Sequence, residues 1–133
     1  MSAANSKFIA DIERWTDRAE QKLDDSAKNI VKEVFIRIVH RTPVASGRLK
    51  GSWGLGMNVP EAIASTLDAS GSITIAFMTT KLASMQIGGN IIIYNSQPYA
   101  RRIEYGYSNK APQGMVRITI AELPQIARMV AGQ

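Results

Sequence analysis

A stripe of apolar residues, spaced three or four positions apart, runs through the first forty residues with no glycine or proline to interrupt it. This spacing predicts one amphipathic helix from about Asn5 to His40. The second half carries the wider stripe, in apolar pairs that begin at Ile30, Val34 and Ile38, and we expect this half to pack on the core. The stripe comprises Phe8, Ile12, Trp15, Ala19, Leu23, Ala27, Ile30, Val34 and Ile38.

The predicted helix is long for the size of the chain. A helix of about 35 residues spans roughly 50 Å, whereas a compact domain of 133 residues is roughly 35–40 Å across. Two alternatives follow: the helix bends at Asp24-Asp25-Ser26, or its first half projects and offers Trp15 to a partner. Two i,i+4 ion pairs are expected along it, Asp24 with Lys28 and Glu33 with Arg37.

The middle of the chain predicts a small antiparallel sheet. Thr42-Pro43 ends the helix, because a residue before proline avoids the helical region. Glycines then flank a first strand at 52–59. Alternating residues predict a second strand at 72–78, and the apolar run at 91–94 predicts a strand covered on both faces. Strands that follow one another in this way are expected to form a meander over 52–95.

The last third predicts two helices. Pro98 suits the first position of a short helix at 98–106, and Gly106 lies where a left-handed cap would end it. Apolar residues at helical spacing predict a C-terminal helix over 114–131, kinked by Pro124. The alternative is a short strand at 117–120 with a helix that begins near Pro124, and we prefer the kinked helix.

The predicted fold class is therefore α+β, in a single domain over 1–133. A long N-terminal helix (1–40) and a C-terminal helix pack on an antiparallel sheet of about three to four strands. A folded chain of this length buries roughly two thirds of the surface that its unfolded form exposes, which is enough for the core of one domain.

Composition argues against an enzyme. The chain has no cysteine and a single histidine, His40, so we predict no metal site, no cofactor and no catalytic group. Glu104 is the most prominent lone carboxylate, and a structural ion pair with a neighbouring arginine is its expected role. No apolar run reaches the ~20 residues that cross a bilayer, and the start of the chain lacks the apolar core of a signal peptide.

The net charge is +5, and because residues 1–40 are neutral, the whole excess falls on residues 41–133. Such an excess can attract nucleic acid. Tyrosines near Arg101 and Arg102 could form a stacking platform for single strands. Tyrosine and arginine are also the residues that anchor protein interfaces, so both interpretations stay open.

Two blocks resemble a known family. Thr42-Pro-Val-Ala-Ser-Gly-Arg-Leu-Lys-Gly-Ser-Trp53 resembles a "TPVxTGRLRxSW" block, and Pro98-Tyr-Ala-Arg-Arg-Ile-Glu-Tyr-Gly-Tyr-Ser108 with Ala111-Pro-Gln-Gly-Met-Val-Arg117 resembles "PYAxxLEYGxS…APxGMVR". Both blocks occur in tail-completion, or head–tail joining, proteins of long-tailed bacteriophages. The chain departs from the family at Ala45-Ser46, where members often carry an acidic residue and a threonine.

The resemblance implies a structural virion protein made in the host bacterial cytoplasm and located in the tail or neck. Copies would form a ring, a hexamer in the virion from units that can be monomers in solution, at the head-proximal end of the tail. Its partners would be the tail-terminator or tail-tube protein and the head connector. DNA would pass through the channel without sequence-specific binding, and no membrane would be involved.

The motif residues divide into two groups. We expect interface contacts from Trp15, Arg48, Lys50, Arg101, Arg102, Glu104, Tyr107 and Lys110, with Arg48 and Lys50 projecting from a rigid turn. We expect the motif's own shape to depend on Pro43, Gly47, Trp53, Pro98, Tyr99, Tyr105, Gly106, Pro112 and Gly114. The competing functions are a basic nucleic-acid-binding module and a tail assembly factor absent from the mature particle.

Overall fold

The computed structural model describes residues 24–44, 46–58, 66–86, 90–97, 100–105 and 114–132. The first described element, α1, is helical over 24–41. Helix α1 ends directly before Thr42-Pro43, as predicted, and the ion pairs Asp24–Lys28 (3.3 Å) and Glu33–Arg37 (2.9 Å) are both present. Residues 24–26 are helical; the bend there and the projecting first half both stay predictions, because Trp15 and the rest of 1–23 lie outside the described residues.

Two antiparallel strands form the described sheet. Strand β1 (Trp53–Met57) pairs with strand β2 (Ile91–Asn95), in a register that runs from Trp53 opposite Asn95 to Met57 opposite Ile91. Both strands were predicted. Strand β2 was expected to be covered on both faces; all five of its residues are half-buried, so each face is covered only in part.

The predicted strand at 72–78 is wrong: these residues begin helix α2 (Ser72–Ser84). The alternation of Ile73, Ile75 and Phe77 is real, but in a helix it places Ile73 and Phe77 on one exposed side and turns Ile75 toward the core. The buried residues of α2 are Thr74, Met78 and Leu82, which are four apart and therefore share one helical face. The meander over 52–95 is consequently replaced by two strands joined through a helix.

The described residues of the C-terminal region form three short helices, α3 (Ala100–Glu104), α4 (Val116–Ala121) and α5 (Leu123–Ala131). Helix α3 lies inside the predicted 98–106. The break between α4 and α5 is at Glu122, and Pro124 lies in the first turn of α5, where its missing N–H removes no helical hydrogen bond. The preferred helix is therefore present but divided, and the alternative strand at 117–120 is wrong.

One cluster of buried apolar side chains joins these elements. The wide half of the α1 stripe lies in it, as predicted, with Phe35 and Val39 wholly buried. The cluster also includes Leu55 of β1, Met78 of α2 and Ile126 of α5. The fold is α+β, with four complete helices after α1 and fewer strands among the described residues than the three to four expected.

Candidate assembly interface

The segment Thr42–Trp53, called the corner below, connects α1 to β1 and is fixed from inside the protein. Its pivot is Gly47, with a φ of +84° that favours glycine. The carbonyl oxygen of Gly47 accepts hydrogen bonds from the N–H groups of Gly51 (2.9 Å) and Asp68 (3.0 Å). A Cβ at position 47 would lie 2.7 Å from the backbone nitrogen of Ala69, so a side chain at 47 would displace backbone.

The far end of the corner is bonded to the end of β2. The amide Nδ2 of Asn95 donates to the carbonyl oxygen of Leu49 at 2.8 Å. The N–H of Ser96 donates to the carbonyl oxygen of Ser52 at 3.1 Å, and Nε2 of Gln97 donates to Oγ of Ser52 at 3.0 Å. These bonds place Gln97, the residue directly before the second resembling block, beside the end of the corner.

The corner exposes one of its two basic residues. Arg48 is exposed and forms no ion pair with any residue that the structure describes. The expectation that Lys50 projects is wrong, because Lys50 is only 7% exposed. Lys50 lies in a short 3-10 turn (Lys50–Ser52), and its methylene stem packs beside Gly71 at the start of α2.

Asp68 attaches the corner to α2 and is 3% exposed. Its carboxylate accepts hydrogen bonds from the N–H of Gly71 (3.1 Å) and from the N–H and hydroxyl of Thr74 (both 2.8 Å). Burial raises the pKa of Asp68, but these donors outweigh burial and hold the pKa below its ordinary value. The sequence reasoning missed Asp68; the available signal was an acidic residue just before the Ser70-Gly71 turn and the first turn of a helix.

Glu104 organises the second block. Its Oε1 accepts the N–H groups of Met115 (2.9 Å) and Val116 (2.6 Å), and its Oε2 accepts the N–H and the Nε of Arg117 (both 3.0 Å). Burial raises the pKa of Glu104, but the backbone donors of α4 outweigh burial, so the pKa lies below its ordinary value. Glu104 is thus engaged within its own chain, and its described ion-pair partner is Arg117 rather than an adjacent arginine.

Two further residues complete this cluster. Gly114 has a φ of +84° and lies against Glu104, so that a Cβ at 114 would come 2.5 Å from the carbonyl oxygen of Glu104. The guanidinium of Arg117 lies 5.0 Å from the ring centroid of Tyr105, a cation–π distance, while Tyr105 is itself 55% exposed.

A second ionic cluster joins α1 to the break between α4 and α5. Oε1 of Glu122 lies 2.6 Å from Nη1 of Arg41 and 3.2 Å from Nη1 of Arg37. Both are ion-pair contacts, but neither has the geometry of a hydrogen bond to Oε1. Oε2 of Glu122 accepts from Nη2 of Arg41 at 2.9 Å, and Nη1 of Arg41 donates to Thr119 at 2.9 Å. The hydrogen bond from Arg41 is the main cause that lowers the pKa of Glu122 to about 2. Nothing in the local sequence predicted this cluster, whose members are about eighty positions apart.

The remaining candidates are placed as follows. Pro43 is half-buried directly after α1, Trp53 is 6% exposed, and Arg101 and Arg102 lie on α3 with side chains outside the description. Outside the described residues altogether are Trp15, Pro98, Tyr99, Gly106, Tyr107, Lys110 and Pro112.

Across the described ranges, no group of three or more His, Cys, Asp or Glu side chains could hold a metal ion. In that same part of the chain, no helix has the length and apolar character needed to cross a membrane. An open groove of about 430 Å³ separates α1 from α2, lined by Asp25, Lys28, Asn29, Lys32, Thr79, Leu82 and Ala83.

Comparisons of the chain with protein-family models, with curated proteins and with solved structures found no match.

Proposed function

We propose that the chain is a structural protein of a tailed-phage virion, and that copies of it form a ring that completes the tail and joins it to the head connector. The observation that carries this proposal is the corner. Gly47 and Asp68 fix its backbone from inside, while Arg48 near its tip is exposed and unpaired among the described residues. A rigid turn that presents a cation loses little conformational entropy on docking, which favours an interface role.

The ring is expected to be a hexamer at the head-proximal end of the tail, with the tail-terminator or tail-tube protein on one side and the head connector on the other. The resemblance of the two blocks to tail-completion proteins supports this assignment. The hydrogen bonds that join the corner to Ser96 and Gln97, directly before the second block, also support it, because contacts from both blocks would then form one surface. Charge on that surface would set the register between neighbours.

The test uses the phage that encodes the protein. Without the protein, electron micrographs should contain intact tails and filled heads that have not joined, and the unaltered protein should restore joined particles. Arg48→Glu should fold normally and fail to restore them. Arg128→Glu, which reverses an exposed charge on α5 at a position outside both motif blocks, is the matched control and should restore them. Normal joined particles in the complete absence of the protein would reject the proposal.

A basic nucleic-acid-binding module is the second candidate, favoured by the +5 net charge. Against it, three of the basic residues in 41–133 are engaged within the chain: Arg41 and Arg117 in ion pairs, and Lys50 by burial. Filter binding to DNA over a salt series separates the two functions, since tight binding with a steep salt dependence would favour the module. Mass spectrometry of purified virions separates a virion component from an assembly factor that leaves the particle.

A further inference from the structure

Helix α2 carries an apolar surface that faces away from the core. We define the outer face of α2 as Ile73, Ala76, Phe77, Thr80 and Ser84, all of which are exposed. Ile73 is 57% exposed and Phe77 is 61% exposed, one helical turn apart. The only charged residue in all of α2 is Lys81. A helix that is apolar on its buried side and uncharged on its outer side is typical of one that contacts a further element.

The described neighbours of α2 leave this face open. The buried residues Thr74, Met78 and Leu82 point to the core, on the opposite side of the helix. Helix α1 borders α2 along the flank of Thr79 and Ala83, across the groove. The outer face is therefore separate from both contacts that α2 makes with the core and with α1.

The chain itself contains a segment that matches this face. Residues 8–23 carry a narrow apolar stripe at helical spacing: Phe8, Ile12, Trp15, Ala19 and Leu23. As a helix this segment would be about 24 Å long, and the thirteen residues of α2 span about 20 Å. The small side chains of Ala76 and Thr80, on either side of Phe77 along the helix, leave space for a large side chain such as Trp15. Tryptophan is among the residue types enriched at interface hot spots.

The direction of α1 decides which copy supplies the segment. Asp25 and Asn29 line the groove with Leu82 and Ala83, whereas Val39 lies against Gly71, so α1 and α2 are antiparallel. Residue 24, the first described residue of α1, therefore lies at the same end as the C-terminus of its own α2. To return along the outer face, the chain before residue 24 would have to reverse, yet residue 24 is helical and residues 1–42 contain no glycine or proline to form a turn.

We propose that residues 8–23 of one copy dock on the outer face of α2 of a second copy. Because the segment and the face are different patches, the contact is head-to-tail, and repetition of such a contact closes a ring when the rotation allows it. This contact rests on the proposed function in one respect: in the proposed ring, it would be the contact that joins neighbouring copies. Its own test needs no phage.

The absence of cysteine makes the contact directly testable. A tagged Ala19→Cys protein is mixed with an untagged Thr80→Cys protein under mild oxidation, and disulfide-linked heterodimer is measured on a non-reducing gel. The expected result is a heterodimer that forms faster than either homodimer. Adding Phe77→Asp to the Thr80→Cys partner should reduce the heterodimer yield about tenfold or more, the change expected for loss of one buried aromatic contact.

Controls keep the outcome decisive. Gln125→Cys, at an exposed position of α5, replaces Thr80→Cys as the matched control and should give background yield only. Because Phe77 is exposed in the single chain, Phe77→Asp should leave the thermal midpoint unchanged, which separates lost docking from lost folding. Heterodimer no higher than the Gln125→Cys background overturns the proposal. A protein that carries both Ala19→Cys and Thr80→Cys gives a further check: an intrachain disulfide in it would overturn the proposal. A Thr80→Cys homodimer that exceeds the heterodimer would overturn it as well.

The two proposals can fail separately. If the heterodimer forms but phage lacking the protein still assemble joined particles, the docking contact stands and the virion function is rejected. If joining requires the protein but no heterodimer forms, the virion function stands and its ring uses another contact.

Discussion

The indole Nε1 of Trp53 donates a hydrogen bond of 2.9 Å to Oγ1 of Thr42, eleven positions earlier in the chain. Thr42 in turn donates from the same hydroxyl to the carbonyl oxygen of Ile38 at 2.8 Å, in the last turn of α1. The three groups form a buried chain of donors and acceptors that ties the first residue of β1 to the end of α1. The first and last residues of the corner are therefore joined to each other directly.

This relationship predicts the effect of Thr42→Val, which keeps the shape of the side chain and removes the hydroxyl. The indole N–H would be left buried without its acceptor, at a cost of about 1–3 kcal/mol in the free energy of unfolding. Urea denaturation measures the loss. A double-mutant cycle with Trp53→Phe should give a coupling of about 0.5 kcal/mol or more; strictly additive losses would show that the two side chains do not depend on each other.

Gly114→Ala should destabilise the protein by more than about 1 kcal/mol, because position 114 combines a positive φ with close contact to Glu104. The matched control is Gly132→Ala. Gly132 has a φ of −82°, and the nearest atoms to an added Cβ are 3.6 Å and 3.7 Å away. This control should be neutral or slightly stabilising. Equal denaturation midpoints for the two variants would contradict the geometry at 114.

Glu104→Gln tests the carboxylate that holds the start of α4. The amide keeps one acceptor oxygen for a set of four donors and loses the charge, so we expect about 1–3 kcal/mol of destabilisation. Arg117→Gln is the comparison, because it removes only the partner that is 52% exposed and should cost less than about 1 kcal/mol. Hydrogen exchange should locate the effect of Glu104→Gln at the N–H groups of Met115 and Val116; unchanged protection there would contradict the role of Glu104.

Acid should weaken the contact between α1 and the α4–α5 break. The folded pKa of Glu122 is about 2, below the ordinary 4.5, so its ion pairs contribute full stability above pH 4.5 and lose it as the pH falls toward 2. The stability difference between the unaltered protein and Glu122→Gln should therefore narrow over that interval. Asp68 and Glu104, with lowered pKa values of their own, add acid sensitivity that both proteins share. A difference that stays constant from pH 6 to pH 2 (~4 pH units, well beyond one titration) would contradict the ion-pair assignment.

The local sequence pattern correctly predicted the elements that bury a single face or end at a proline. The α1 stripe marks a single buried face, and the proline after Thr42 ends the helix whatever surrounds it. The apolar run at Ile91 became β2 as expected, although its half-burial depends on what packs against its two faces. Helical periodicity and helix termination depend on residues that are close in the sequence, so they can be predicted from the sequence alone.

Helix α2 was mispredicted because its pattern fits two periods. Ile73, Ile75 and Phe77 alternate as in a strand, while Thr74, Met78 and Leu82 repeat as in a helix. The helix is favoured by Asp68, whose carboxylate satisfies N–H groups at the start of α2, and by the core that receives Met78. Neither contribution is visible in the alternation itself.

The sequence by itself determined the α1 stripe, its stop at proline and the absence of cysteine. Tertiary structure decided that Lys50 is buried while Arg48 is exposed, that Glu104 caps α4, and that Arg41 meets Glu122 across eighty-one positions. The physical reason is range. Steric rules and helical periodicity act between adjacent turns, whereas the partner of a charge or a buried donor is fixed only when distant segments have packed together.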